Sequence, residues 1–181
     1  MCETSQMLEN FFWKVLELKN IPRQGWKNKL DLMDVESVAD HIYSATIMSM
    51  VLSDLQGLDT EKVIKMALLH DLAESVIGDI TPDDMKSENK INIENKAMKQ
   101  ILENLPSNLL GQYTTLWDDF QKNSSEEANL LHEIDKLEMA FQAKFYLDKG
   151  ISKEKLRSFF KTANNEIKNK QLRDILTNIL E

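Results

Sequence analysis

Apolar residues recur along most of this chain at intervals of three and four, the spacing that places them on one face of an α-helix. Between about Ser5 and Lys19, Leu8, Phe11, Phe12, Val15, Leu16 and Leu18 follow it. Ile21-Pro22-Arg23-Gln24-Gly25-Trp26 then breaks the pattern and is expected to be a loop. Ser37 is a candidate N-cap for a helix to about Leu55 that carries His41, Ala45, Met48 and Leu52. After a turn at Gln56-Gly57-Leu58-Asp59, Thr60 is expected to cap a helix through Val63, Ile64, Ala67 and Leu68 into His70-Asp71. Gly78 to Pro82 reads as a loop. Two polar-faced helices are expected near Ser87–Asn104 and Asn108–Gln121. Ser124 or Ser125 should start a helix carrying Leu130, Leu131, Ile134, Leu137, Phe141 and Phe145 and ending near Gly150. A last pair covers Lys153 to Leu180. No segment alternates as a strand would, so the pattern predicts an all-α, single-domain helical bundle.

Composition supports that reading: five glycines and three prolines in 181 residues leave few breakers, and 42% hydrophobic residues suffice for one core. The net charge of -8 removes the cationic field that a nucleic-acid polymer would require, but a small anion needs only local positive charge. Cys2 is the single cysteine, which rules out an internal disulfide and a zinc-finger cluster. No secretory leader and no run of 18 apolar residues is visible, so a cytoplasmic protein without membrane partners is expected. Nine methionines at helical spacing are expected to fill core gaps or a subunit interface. The Lys- and Glu-rich stretches Lys86–Lys99 and Lys153–Lys170 are expected to be solvated faces.

Chemistry enters at His70-Asp71, which ends the apolar run Val63–Leu69. A carboxylate there is costly unless it is paired or metal-bound. Glu74 follows Asp71 by three residues and His70 by four, on the same helical face. His41 lies 70−41 = 29 residues earlier on the preceding, antiparallel helix, and Asp135 lies 135−71 = 64 residues later in another apolar-faced helix. Mixed imidazole and carboxylate donors suit one divalent ion such as Mn, Co, Zn, Fe or Ni, with Mg less well matched. Four ligands from three helices leave room for water and substrate. His132, three residues before Asp135, serves as a contrast and is expected at the surface or behind the site.

Taken together, IPRQGW (Ile21 to Trp26), ESVADH (Glu36 to His41), HDLAESVIGDITP (His70 to Pro82) and IDKLEM (Ile134 to Met139) resemble the HD-domain phosphohydrolases. The likeness is to the small 5'-deoxynucleotidases, the group that includes the HD-domain-containing protein 2 family, and it covers roughly the first 150 residues. It implies one HD domain over 1–181, with the metal site within 21–150 and C-terminal helices over 151–181. His41, His70, Asp71 and Asp135 match the metal ligands, Glu74 and Asp79 the acidic residues that handle water and proton transfer. Arg23 matches the phosphate-binding residue and Trp26 the aromatic that positions the nucleoside. The resemblance further implies hydrolysis of deoxyribonucleoside 5'-monophosphates by a homodimer. Asp79 also suits a turn former or helix cap, and Arg23 or Trp26 a purely structural place. Two other activities fit the same residues: a phosphohydrolase of triphosphates or another phosphate ester, and a nucleotide-binding sensor without catalysis.

Overall fold

The computed structural model describes residues 3–82 and 84–181, so Met1 and Cys2 lie outside the described residues. The chain forms α1 (Glu3–Glu17) with a 3-10 turn at Leu18–Asn20, then α2 (Gln24–Leu30), α3 (Val38–Gln56), α4 (Thr60–Leu69) and the single turn α5 (Glu74–Ile77). There follow α6 (Ser87–Leu102), α7 (Ser107–Lys122), the long α8 (Glu126–Asp148), α9 (Lys153–Glu166) and α10 (Lys170–Leu180). Among the described residues there is no strand, only an isolated antiparallel bridge between Pro22 and Ser37. The expectation of an all-α fold is met.

Helices α3, α4 and α8 pack on one another at the centre. Their starts are fixed locally. Ser37 and Asp40 form a reciprocal capping box on α3, Asp59 accepts from Lys62 N on α4, and Ser125 accepts from Ala128 N on α8. Gly57, at φ 69°, ends α3 in the left-handed region that glycine enters without steric cost. One part of the core joins Val38 and Ile42 of α3 to Met66 and Leu69 of α4 and to Met98, Ile101, Trp117 and Phe120 of α6 and α7. Another joins Leu52 of α3 to Ile134 and Leu137 of α8 and to Ile167, Leu172 and Leu176 around α10. A third sets Trp26 and Leu30 of α2 against Tyr146 of α8 and Phe159 of α9.

Three expectations need correction. The segment Ile21–Trp26 is a loop only to Arg23, because Gln24-Gly25-Trp26 opens α2, whose indole and Leu30 are buried. Helix α4 ends at Leu69 and is capped by Asp59 rather than Thr60. His70 to Ala73 tighten into turns, with Leu72 N bonded to Leu69 O and Glu74 N to Asp71 O. His70 and Asp71 therefore sit in a helix-ending turn and not on a continuing α-helix. The methionines divide: Met66 and Met98 are buried, whereas Met33 and Met50 are exposed.

Candidate metal centre and substrate cleft

The four sequence motifs meet in space. The backbone of Arg23 donates to Glu36 O and that of Val38 to Ile21 O, which ties the first motif to the second. Gln24 N donates to Asp79 Oδ2 at 2.6 Å, which ties the first to the third. The indole N–H of Trp26 donates to Glu36 Oε1 at 2.6 Å.

At their junction lie His41, Asp135 and the His70-Asp71 pair. Nε2 of His41 is 3.3 Å from Nε2 of His70, 3.2 Å from Asp135 Oδ1 and 3.5 Å from Asp71 Oδ2. Nε2 of His70 is 3.2 Å from Asp71 Oδ2. Both imidazoles are buried, and the other nitrogen of each is committed. His41 Nδ1 is 2.6 Å from Glu138 Oε2, and His70 Nδ1 is 2.7 Å from Ala67 O. A carboxylate and a carbonyl only accept, so each Nδ1 carries the ring proton. Two neutral rings would then point Nε2 lone pairs at each other across 3.3 Å, beside two carboxylates. That arrangement repels itself unless a proton on His41 or a metal cation sits among the four donors. The residues therefore fit a metal ion, and His41, His70 and Asp71 offer donor atoms within 4.8 Å of one another.

Electrostatics tell the same story. Burial and the nearby Arg23 oppose charge on His41, yet the hydrogen bonds it donates to Asp135 and Glu138 prevail and raise it to about 9. Burial would raise Asp71, but His70, Arg23 and His41 hold it below the usual carboxylate range. Asp135 is likewise held well down, against burial, by Lys136, His41 and Arg23. Lys136 Nζ lies 2.8 Å from Asp135 Oδ2.

The predicted catalytic and substrate residues surround this cluster. Arg23 Nη1 is 3.4 Å from Asp71 Oδ2. Burial disfavours its charge, but Asp71, Asp79, Asp135 and Glu74 outweigh that and keep it cationic. Glu74 is buried, and its Oε2 has no hydrogen-bond partner. Burial first, then Asp71 and Asp79, push its carboxyl well above the ordinary range and favour its protonated form. Asp79 takes the cap-like place noted as its alternative, receiving the first backbone N–H of α2. Trp26 is 2% exposed, wedged between Tyr146 and Phe159, so its indole is a wall of the cleft and no open stacking platform. His132 lies behind the site, stacked on Phe120 with Nε2 2.9 Å from Phe120 O.

A cleft of about 460 Å³ opens over the cluster, large enough for a small organic ligand. Arg23, Asp71, Glu74 and Asp79 line one part; Lys90 of α6 and Lys136 of α8 line another, and Ser158, Phe159, Thr162 and Glu166 of α9 close the far wall. The stretch Lys86–Lys99 is thus not wholly a solvated face. Burial opposes charge on Lys90, but Glu74 and Glu94 raise it, so it remains a cation at the cleft. Glu36, Lys90, Lys136, Glu138 and the α9 wall escaped the sequence reading. Only Glu138 left a signal: a carboxylate three residues after Asp135 on an otherwise apolar helical face.

The HD domain family model matches residues 15–175. A mouse protein named 5'-deoxynucleotidase HDDC2 is 38% identical over 154 residues, covering 84% of this chain and 76% of the relative. A Schizosaccharomyces pombe protein named 5'-deoxynucleotidase hdd1 is 34% identical over 169 residues, covering 91% and 84%. Among solved structures, the PH0347 protein of Pyrococcus horikoshii superposes with a TM-score of 0.78 at 31% identity, covering 93% of this chain and 96% of that one.

Proposed function

Because the chain belongs to the HD domain family, we propose that it is a metal-dependent phosphohydrolase that converts deoxyribonucleoside 5'-monophosphates to deoxynucleosides and phosphate. The observation that carries this reading is the pair of Nε2 atoms 3.3 Å apart, each ring already committed at Nδ1, with Asp71 and Asp135 beside them. His41, His70, Asp71 and Asp135 would hold one divalent ion. Of Mn, Co, Zn, Fe, Ni and Mg, the nitrogen donors favour the transition metals. When bound, such an ion supplies an activated water and draws charge from the phosphate. The names of the relatives support the 5'-deoxynucleotide as substrate.

The chain's own residues supply the remaining steps. Arg23 offers its planar fork to two non-bridging phosphate oxygens, and Lys90 and Lys136 add positive charge at the cleft. Glu74, protonated in its buried place, donates a proton to the leaving 5'-oxygen, which departs as the deoxynucleoside hydroxyl. Asp79 secures the start of α2 and with it the backbone of Arg23. Trp26 and Phe159 form an apolar wall that excludes water from one side of the nucleoside.

We further propose that residues 1–181 form one HD domain with the metal site within 21–150, and that the C-terminal helices 151–181 complete the cleft. A cytoplasmic homodimer is part of the same proposal. The homodimer is supported by exposed apolar side chains in a stripe on α3, Tyr43, Ile47, Val51 and Leu55, with Phe12 and Trp13 of α1 also exposed. Among the described residues no helix is long and apolar enough to cross a membrane.

The test is phosphate release from 5'-dNMPs, 5'-NMPs and dNTPs with Mn, Co, Zn or Mg, with His70→Ala as control. Orthophosphate from dNMPs alone is the expected result. Pyrophosphate or triphosphate as product would assign the chain to triphosphate substrates, and nucleotide binding without release would make it a sensor.

A further inference from the structure

Glu138 stands where fold stability gives no reason for a carboxylate. It is 2% exposed on α8, one turn beyond Asp135, and its helical neighbours Leu131, Ile134 and Leu137 are fully buried. Burying a charge that way costs several kcal/mol unless a partner compensates, and a leucine of similar size would not incur that cost. Its hydrogen-bond partner among the described residues is His41 Nδ1 at 2.6 Å. A second carboxylate, that of Glu36, lies within 4.8 Å of the same pair and is itself held by the Trp26 indole. His70 needs no such side chain, because the carbonyl of Ala67 accepts its Nδ1 proton. His41 sits in the first turn of α3, where the carbonyl one turn back, Ser37 O, already accepts the backbone N–H of His41 itself. The fold thus supplies one imidazole with a main-chain acceptor and the other with a buried glutamate.

We propose that Glu138 is a positioning residue for the metal: it accepts the Nδ1 proton of His41 and so fixes the ring in the tautomer and orientation whose Nε2 lone pair faces His70, Asp71 and Asp135. The proposal rests on the metal reading given above and adds to it a residue that touches neither metal nor substrate. A carboxylate behind a ligating imidazole sets the tautomer, holds the ring plane and makes the far nitrogen a better donor. Asp135 and Glu138, three residues apart on α8, then act on the same side of the bundle as ligand and support.

Two variants separate positioning from charge. Glu138→Gln keeps the shape and an acceptor oxygen for Nδ1–H, whereas Glu138→Ala removes the acceptor. Binding of Co²⁺ alone, followed by titration calorimetry and by the visible spectrum of the ion, should weaken about 10–100-fold in Glu138→Ala, with much of the loss recovered in Glu138→Gln. KM for a 5'-dNMP at saturating metal should stay near the wild-type value. With three histidines in the chain, the imidazole N–H proton resonances of the Zn²⁺-loaded protein are few enough to assign. That of His41 Nδ1–H should be protected in wild type, shifted in Glu138→Gln and lost to exchange in Glu138→Ala. Wild-type affinity in Glu138→Ala overturns the proposal, as does equal weakening in both variants with an unchanged His41 resonance. Should Glu138→Ala not fold, Glu138→Gln decides alone, and an unshifted His41 resonance overturns the proposal. Failure of the wild-type protein to bind Co²⁺ or Zn²⁺ would instead bring down the metal reading itself.

Discussion

In the metal-free protein a proton on His41 substitutes for the ion, and this predicts an inverted dependence of stability on pH. Folded, His41 keeps its proton to about 9; unfolded, it releases it near 6.5. Its contribution is therefore complete below pH 6.5 and lost as pH rises through 9. The gap corresponds to about 3 kcal/mol, a large share of a domain's net stability. Glu36, raised to about 7 by burial and by Glu138, acts in the same direction, since the folded form holds a proton that the unfolded chain has released. Its effect is over by about pH 7. Asp71 and Asp135, both held low, stabilise above pH 4 and change nothing in the alkaline window. Urea unfolding in excess chelator, at half-unit steps from pH 6 to pH 9.5, should thus show stability falling by up to about 1.4 kcal/mol per pH unit above pH 7. His41→Gln should flatten that slope. Saturating Zn²⁺ should reverse the trend, because the ion competes with the His41 proton and gains affinity as pH rises. A flat or rising curve for the chelated wild type between pH 7 and 9 would refute the reasoning, as would an unaltered slope in His41→Gln.

Glu74→Gln should retain metal and KM but lower kcat on the order of 10²–10⁴-fold; a loss under tenfold in stopped-time phosphate assays would remove Glu74 as proton donor. Arg23→Lys, which exchanges a fork for a point charge, should raise KM for a 5'-dNMP about tenfold or more with little change in metal affinity, and unchanged KM would place the phosphate elsewhere. Trp26→Phe keeps the aromatic contacts with Phe159 and Tyr146 but strands the Glu36 carboxylate, so urea unfolding should show a loss of about 1–3 kcal/mol. Equal stability would mean that the indole N–H bond contributes nothing net.

The sequence displayed the helices because their starts are local events. Ser37 and Ser125 cap by hydrogen bonds that span three residues, and such signals survive without tertiary context, whereas the cap of α4 falls on Asp59, one residue before the expected Thr60. Helix α2 was hidden because Pro22 and Gly25 look like breakers, whereas its stability comes from burying Trp26 and Leu30 against α8 and α9, which lie far along the chain. The tightening after Leu69 was hidden for a related reason, since turns and helices share the same apolar spacing over four residues. For the site, His41, His70, Asp71 and Asp135 were legible because each is a costly residue in an apolar frame. Lys90, Lys136 and the α9 wall were not, because a lysine or serine on a solvated-looking face carries no mark of the cleft beyond it. Glu138 lay between these cases, visible as an anomaly but without a partner until α3 and α8 were brought together.

That the four motifs also knit the fold has a consequence for how the site tolerates change. Gln24 N on Asp79, Trp26 on Glu36 and His41 on Glu138 are hydrogen bonds of 2.6 Å whose acceptors are carboxylates; the first and last join residues 55 and 97 apart in sequence, and the second fastens α2 to the segment that leads into α3. Removing an acceptor leaves a buried donor unsatisfied, which costs more than the bond contributed. Glu36 and Glu74, raised by burial and by neighbouring carboxylates, oppose folding of the metal-free protein at neutral pH, and a cation bound beside them would offset that cost. An ion held by His41, His70, Asp71 and Asp135 would therefore lend the fold rigidity as well as chemistry. Substitutions that weaken metal binding should show most of their thermal destabilisation only in metal, and substitutions in the apolar core should show it equally with and without. A differential melt in chelator and in Zn²⁺ sorts every variant into one group or the other, and His70→Ala falling with the core variants would break the link between the site and the fold.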